Sequence, residues 1–213
     1  LDAAAPGPAL HWACDPASPL GTRDGALAPW ARQPAAPGAL RVLDCAYAPL
    51  RLEGAAGAPP GGAWQMWTPN KALGLTGVRA AYAVAPADAP PALRARVQVL
   101  APSWPLGAHG VALLQCWATT DCQDWLYACR ATLRGWKARQ IDWLQAAGWR
   151  VAPSAANFLV AAGADGAVVE GRFGLNPLLT ALRAQGIKLR DCASFGLPGQ
   201  VRLAVVAPDV QDA

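Results

Sequence analysis

Charged residues are scarce in this 213-residue sequence. Asp, Glu, Lys and Arg make up only 15% of it, while 54% is hydrophobic, so intrinsic disorder is excluded. The net charge of +4 is small and no cluster of Lys and Arg concentrates it, which argues against nucleic-acid binding. Uninterrupted apolar runs of about 18 residues are also missing, so the sequence predicts no membrane span. The length is sufficient for a sizeable buried core.

Metal-binding spacings are missing as well. The sequence has six cysteines but no C-x-x-C pair, and only two histidines, so it predicts no metal site. Residues 1–6 have neither the basic start nor the apolar core of a signal peptide, and we expect a cytoplasmic protein with reduced thiols. Cys116, Cys122 and Cys129 could form a metal or redox cluster, but small apolar filler on helices is the favoured interpretation.

The chain divides by pattern into an N-terminal and a C-terminal half. Proline and glycine separate short apolar runs in the first half, which predict strands at 41–44, 64–67 and 80–85 and a helix at 91–97. The second half contains a predicted helix at 106–118, strands at 149–151, 158–160, 187–189 and 201–205, and a helix at 177–185. No internal repeat is visible. Strands that alternate with loops and helices indicate an α/β fold.

A long helix is predicted to connect the two halves. The proline-free segment from Asp121 to Ala147 repeats apolar residues about every 3.6 positions, with Gly148 as its stop. Trp125, Trp136 and Trp143 follow this apolar stripe, so we expect most of them in the core. A tryptophan-rich carbohydrate or peptide binder, which needs exposed aromatic rings, is therefore disfavoured.

Five short motifs follow one another in a fixed order. They are D-P-A-S-P-L-G at 15–21, D-C-A-Y at 44–47, T-P-N-K-A-L-G-L-T-G-V-R at 68–79, P-S-A-A-N-F-L at 153–159 and R-D-C-A-S-F-G-L-P-G-Q-V-R at 190–202. Each motif alone is weak evidence for a function, because an Asp after a strand often caps a helix and a lone Lys in a loop is usually solvated. An Arg inside a strand is rarer, because burying guanidinium is costly unless it meets an anion.

As an ordered set, the motifs resemble the fold-type-I enzymes that use pyridoxal 5'-phosphate (PLP), the aminotransferase class I/II family. The similarity is greatest to the branch that holds histidinol-phosphate aminotransferase and threonine-phosphate decarboxylase, and it covers the chain from about Leu10 onward. The resemblance implies the C-terminal part of a PLP-binding large domain with a mostly parallel sheet (1–119), a long interdomain helix (120–147) and a small α+β domain (148–213). It also implies that the N-terminal part of the large domain, with a phosphate-binding turn and a ring-stacking aromatic, and the last helix lie outside this sequence.

The resemblance assigns a cofactor role to residues of the first half. Lys71 matches the lysine that holds the cofactor covalently and moves a proton at the substrate α-carbon. Asp44 matches the carboxylate that keeps the pyridine nitrogen protonated, and Tyr47 the tyrosine that bonds the phenolic oxygen. Thr68 and Arg79 match two positions that hold the phosphate, for which a guanidinium is well suited.

The remaining matches concern substrate binding, and one position departs from the usual pattern of the family. Ser18 stands where the family usually has an asparagine that bonds the cofactor oxygen. The side chain of serine is shorter than that of asparagine. Arg202 matches the arginine that binds the substrate α-carboxylate, and Asn157 matches an active-site asparagine of the branch. Arg190 is the candidate for the distal phosphate of the substrate.

Several functions remain open on these residues. The first is a homodimeric PLP enzyme that acts on a phosphorylated amino compound, most similar to the threonine-phosphate decarboxylase of cobalamin biosynthesis. The alternative within the family is a transaminase similar to histidinol-phosphate aminotransferase, because both reactions use the same residues. The alternative of another class is a truncated, non-catalytic remnant.

Overall fold

The structure is a computed structural model, which describes residues 9–163 and 175–212. These residues form two compact units. The first comprises the described residues up to Pro16, Arg23–Pro49 and Ala55–Tyr127, and the second comprises Ala17–Thr22, Leu50–Gly54 and the chain from Ala128 onward. Two short segments of the N-terminal half therefore belong to the second unit.

The regular elements mostly follow the order that the sequence predicts, with additions at both ends and one difference near residue 190. The strands are β1 (Ala9–Cys14), β2 (Ala39–Asp44), β3 (Ala63–Trp67), β4 (Tyr82–Val84), β5 (Trp149–Val151), β6 (Phe158–Gly163), β7 (Arg190–Asp191) and β8 (Gln200–Ala204). The helices are α1 (Leu27–Arg32), α2 (Pro91–Leu100), α3 (Ala108–Trp117), α4 (Thr120–Ala146), α5 (Leu175–Ala184) and α6 (Pro208–Asp212). Short 3₁₀ turns occur at Ala48–Leu50 and Ala193–Phe195.

The first unit is built on a four-stranded sheet in the order β1-β2-β3-β4. Strands β1, β2 and β3 are parallel and β4 is antiparallel to β3. The register pairs Cys14 with Asp44 and Asp44 with Met66, so the carboxyl ends of the three parallel strands meet at one edge. In open α/β sheets this edge is where ligands bind.

The core of the first unit lies between β1, β2 and α1. Leu27 and Trp30, three positions apart on one helix face, pack with Ala13, Leu43 and Cys45. Burial, with Asp44 as a secondary cause, raises the pKa of Cys45 to about 12, so this thiol remains neutral and apolar filler describes it well.

Arg41 of β2 shows why an arginine can sit inside a buried strand. Its guanidinium donates to the carbonyl oxygens of Trp30 (3.1 Å), Gln33 (2.7 Å) and Pro34 (3.0 Å), and it lies 5.4 Å from the centre of the Trp30 ring. Trp30 lies in the last turn of α1, and Gln33 and Pro34 follow the helix, so these carbonyls have no partner within it. The role of Arg41 is thus structural.

The second unit contains an antiparallel sheet in the order β5-β6-β8-β7. Leu159 and Ala161 of β6 pack with Leu144 of α4, and apolar side chains such as Ile141 and Leu203 surround them. The central strand β6 is buried along most of its length, as its continuous apolar run predicts.

The strand predicted at 187–189 is wrong. The structure has no strand there and instead begins β7 at Arg190. Gly186 is left-handed (φ +83°), and the amides of Gly186 and Ile187 donate to the carbonyls of Arg183 and Leu182. This is the hydrogen-bond pattern of a Schellman helix end, so the exit from α5 occupies the residues that an apolar pattern assigns to a strand.

The prediction of buried tryptophans on α4 is wrong for two of the three. Trp125 and Trp143 are 52% and 56% exposed, and Trp136 is half-buried. They do not form one binding platform, because 18 residues of helix place Trp125 and Trp143 about 27 Å apart. Among the described helices, none, including the 27-residue α4, has the apolar length that crossing a membrane requires.

The buried stripe of α4 instead contains a lysine. Lys137 is 2% exposed, and its ammonium lies 2.6 Å from Oε1 of Glu53 and also donates to the carbonyl of Ser154. Its positive charge is therefore matched by a carboxylate and a backbone oxygen, as burial of an ammonium requires. Lys137 ties Leu50–Gly54 to the segment before β6 within the second unit.

We expect Lys137→Met to destabilise the protein by about 2 kcal/mol, because the Ser154 carbonyl loses its charged donor in a buried site. Urea unfolding monitored by circular dichroism measures this change. Lys188→Met is the matched control: Lys188 is exposed, so the same substitution there should change stability by no more than about 0.5 kcal/mol. Equal effects at the two positions would contradict the role given to Lys137.

Candidate active site

Four of the six residues predicted to hold a cofactor, all except Ser18 and Tyr47, line one cavity of the first unit. This cavity of about 570 Å³ is open to solvent and is lined by Asp44, Thr68, Lys71 and Arg79. Asp44 reaches it from the carboxyl end of β2, and the other three come from the loop that connects β3 to β4. Residues of two separate motifs thus converge where a parallel sheet is expected to bind a ligand.

Asp44 and Lys71 each contact the turn that follows β2. Oδ1 of Asp44 accepts a hydrogen bond from the amide of Ala46 (2.8 Å), which fixes the turn after β2. That turn carries Tyr47, and the Nζ of Lys71 lies 3.8 Å from the centre of the Tyr47 ring. A cation over an aromatic face is a favourable contact. The predicted lysine and tyrosine are therefore neighbours.

The thiols beside Asp44 remain neutral. Burial is the largest cause that raises the pKa of Cys14, and the carboxylates of Asp44 and Asp24 raise it further, although Lys71 acts in the opposite direction. Cys45 has a pKa of about 12. Neither thiol therefore adds a negative charge next to the Asp44 carboxylate at neutral pH.

Thr68 is already engaged within its loop. Its hydroxyl oxygen lies 2.7 Å from the carbonyl of Ala80 and 2.8 Å from Oδ1 of Asn70. A hydroxyl has one proton, so Thr68 must release these acceptors before it can donate to a phosphate. Arg79 differs: among residues 9–163 and 175–212, no carboxylate pairs with its guanidinium.

These side chains fit PLP by their chemistry. Lys71 offers an amine for the cofactor aldehyde, Asp44 a carboxylate for the pyridinium, Tyr47 a hydroxyl for the phenolic oxygen and Arg79 a fork of donors for the phosphate. Trp12 of β1 also lines the cavity, which the sequence reasoning did not anticipate. The feature that could have indicated a role for Trp12 is its position two residues before the carboxyl end of β1, near the edge of the sheet where ligands bind.

The predicted substrate residues lie in the second unit. Arg202 of β8 is the direct partner of Arg190 on the antiparallel strand β7. Nη1 of Arg202 donates to Oγ of Ser18 (2.6 Å), and its guanidinium carbon lies 5.2 Å from the Phe158 ring centre. Arg190 lies 5.5 Å from the ring of Phe195. Ser18 is thus hydrogen bonded to the predicted carboxylate-binding arginine.

Asn157 has an unsatisfied acceptor. Its Oδ1 is buried and has no hydrogen-bond partner in the described part of the chain, whereas its backbone carbonyl accepts from the amide of Val205 (2.9 Å). A buried oxygen without a donor is costly. This side chain is therefore suited to receive a donor from a ligand.

The comparisons with known proteins decide the family. The family model described as aminotransferase class I and II matches residues 44–212. The chain belongs to this family. The resemblance is therefore confirmed, and PLP is the cofactor of the family.

Three individual matches describe how far the similarity extends. The histidinol-phosphate aminotransferase of Thermobifida fusca is 31% identical over 95% of this chain and 52% of its own length. That of Symbiobacterium thermophilum is 32% identical over 66% of this chain and 35% of its own length. The solved L-threonine-O-3-phosphate decarboxylase of Porphyromonas gingivalis is similar in fold, with a TM-score of 0.65, 20% identity and coverage of 95% of this chain and 61% of that chain. The predicted α/β fold is confirmed, and the chain spans about a third to a half of the curated relatives.

Proposed function

We propose that this chain carries residues of a PLP-dependent enzyme that acts on a phosphorylated amino compound, with O-phospho-L-threonine as the substrate to be decarboxylated. The family membership supports the use of PLP. The choice of a substrate with two anionic groups depends on one observation, the pairing of Arg190 with Arg202.

Two arginines that face each other across a strand pair need an explanation. Direct partners on antiparallel strands have Cβ atoms about 4.5–5.5 Å apart on one face of the sheet, and like charges there destabilise the pair. Among the described residues, no carboxylate forms an ion pair with Arg190 or Arg202. A ligand with two negative charges a few bonds apart would supply the missing countercharge.

O-phospho-L-threonine has this charge pattern, because its α-carboxylate and its phosphate-bearing oxygen are attached to adjacent carbons. Arginine binds both groups through two parallel N–H donors. We assign the carboxylate to Arg202, whose orientation is fixed by Ser18 (2.6 Å), and the phosphate to Arg190. Asn157 provides an additional acceptor for a substrate donor.

The chemistry then falls to Lys71 and Asp44. PLP, when bound, supplies an electron sink for the pair left on the substrate α-carbon. In decarboxylation the bond between the α-carbon and the carboxylate breaks, carbon dioxide leaves, and we assign the proton that the α-carbon gains to Nζ of Lys71. Asp44 holds the proton on the pyridine nitrogen, and Tyr47 next to Lys71 bonds the phenolic oxygen.

Transamination is the second candidate, favoured by the curated relatives. The relatives from Thermobifida fusca and Symbiobacterium thermophilum are both histidinol-phosphate aminotransferases. In that reaction Nζ of Lys71 would take the proton from the substrate α-carbon. On the same family resemblance, we also propose that the protein is a homodimer and is located in the cytoplasm.

The test is a comparison of incubations of the protein with PLP. With O-phospho-L-threonine we expect release of carbon dioxide, and with unphosphorylated L-threonine a rate lower by about 100-fold, because the phosphate contact is lost. Histidinol phosphate with 2-oxoglutarate should yield no glutamate. Glutamate formation without carbon dioxide release would replace the decarboxylase by the transaminase, and no reaction in any mixture would favour the non-catalytic remnant.

A further inference from the structure

The junction between α3 and α4 brings two cysteines together outside the cofactor cavity. Cys116 lies in the last turn of α3 and Cys122 in the first turn of α4, and the side chain of Cys116 is close enough to raise the pKa of Cys122. Only Ala118 and Thr119 separate the two helices. The proposed function uses neither cysteine, so a role for this pair is independent of it.

Thr119 fixes the backbone of both cysteines. Its hydroxyl donates to the carbonyl of Cys116 (2.8 Å) and accepts from the amide of Cys122 (3.3 Å). The amide of Thr119 also donates to the Cys116 carbonyl (3.0 Å). The backbones of the two cysteines are therefore held in one closed turn by the hydrogen bonds of Thr119.

The two thiols have unequal access to solvent. Cys116 is exposed and Cys122 is buried, and none of the other four cysteines, all within the described residues, is exposed. Burial, and then the hydrogen bond and charge of Cys116, raise the pKa of Cys122, so Cys122 is protonated at neutral pH. A reagent in solution therefore meets the thiol of Cys116 before that of Cys122.

We propose that Cys116 and Cys122 form a reversible disulfide by exchange with a small disulfide such as oxidised glutathione. The Cys116 thiolate attacks one sulfur of glutathione disulfide, and a glutathione thiolate leaves. Cys122 then loses its proton and attacks Sγ of Cys116, which expels the second glutathione. Two electrons pass from the cysteine pair to the glutathione disulfide, and two protons leave the pair.

The pair is connected to the cofactor cavity through α3. Gly110 of this helix packs so closely on the backbone oxygen of Arg79 that a methyl group there would lie 2.9 Å from it. Leu106, just before α3, lines the cavity itself. A disulfide at the end of α3 would therefore fix the helix that supports Arg79.

The experiment incubates the full chain with oxidised glutathione and digests it at aspartate residues. Cleavage before Asp121 and Asp124 places Cys116, Cys122 and Cys129 on three different peptides. We expect the peptide 88–120 to be cross-linked to 121–123, with a loss of two hydrogen atoms, and expect a dithiol reductant to reverse the link. Cys129→Ser should leave this result unchanged.

A Cys122→Ser variant tests the order of events. It should accumulate a glutathione adduct on Cys116, because the resolving thiol is missing, whereas Cys116→Ser should form neither adduct nor cross-link. Cys122→Ala serves the same purpose if the serine variant fails to fold. A stable glutathione adduct on Cys116 of the unmodified chain, or a cross-link of Cys116 to Cys129, would overturn the proposal.

Discussion

Replacing Lys71 by alanine should abolish covalent attachment of PLP and reduce any turnover by at least about 100-fold, the lower range for loss of a positioned acid–base group. Lys71 is the lysine whose side chain lines the cavity, next to Tyr47 at 3.8 Å. An amine elsewhere cannot substitute for it, since Lys137 is buried and bound to Glu53. The expected result is a protein without the visible absorbance of bound cofactor.

The measurement combines absorbance with borohydride reduction and mass spectrometry. Reduction should leave a pyridoxyl group on Lys71 of the unmodified protein and on no other lysine. The sequence has only three lysines, so Lys188→Ala, at an exposed position, is a matched control and should retain the absorbance. An unchanged band in Lys71→Ala, with the label on Lys137 or Lys188, would disprove the assignment.

The cofactor cavity is the part of the site that could be anticipated from the sequence. Asp44 ends an apolar run, so its position at the carboxyl end of a buried strand follows from local pattern alone. The spacing from Thr68 to Arg79 keeps them in one loop between two strands. Their roles came from family resemblance, because no periodicity links Asp44 to Lys71.

The interior of α4 could not be anticipated from hydrophobicity. Trp125 and Trp143 have large apolar side chains but are exposed. Lys137 and Gln140 have polar side chains but are buried. The buried positions depend on partners that arrive from far along the chain: Glu53 for Lys137 and the carbonyl of Ala204 for Gln140. A helical pattern shows which residues share a face, but it does not show which face meets carbonyl oxygens.

The first motif is also divided in a way that sequence spacing hides. Asp15 belongs to the sheet unit, where it lies 3.7 Å from Arg23. Ser18, only three residues later, belongs to the unit that holds Arg202, because its turn is bonded to the segment before β6 through Gly21 and Ala155. Ser18, which the family resemblance places at a cofactor-binding position, therefore contacts the arginine that we propose for the substrate carboxylate.

The strongest prediction for substrate recognition is a different response of the two arginines. Arg202→Ala should raise KM by about 100-fold for every amino-acid substrate, because each has an α-carboxylate to lose its charged donor. Arg190→Ala should raise KM by a similar factor for O-phospho-L-threonine but leave that for an unphosphorylated amino acid nearly unchanged. This difference follows from the assignment of one anionic group to each member of the pair.

A stability measurement separates this interpretation from simple damage to the fold. Like charges opposite each other in a sheet are unfavourable, so removing either arginine relieves repulsion between Arg190 and Arg202. Arg190→Ala should therefore have a melting temperature no lower than that of the unmodified protein, whereas Arg202→Ala also loses its hydrogen bond to Ser18, which offsets this gain. O-phospho-L-threonine should stabilise both variants less than the unmodified protein. Arg183→Ala, an exposed arginine of α5, is the control and should change neither KM nor the stabilisation by ligand. If Arg190→Ala weakened the binding of phosphorylated and unphosphorylated substrates equally, Arg190 would not be the phosphate-binding residue. Arg190 and Arg202 would then have to bind one anionic group together.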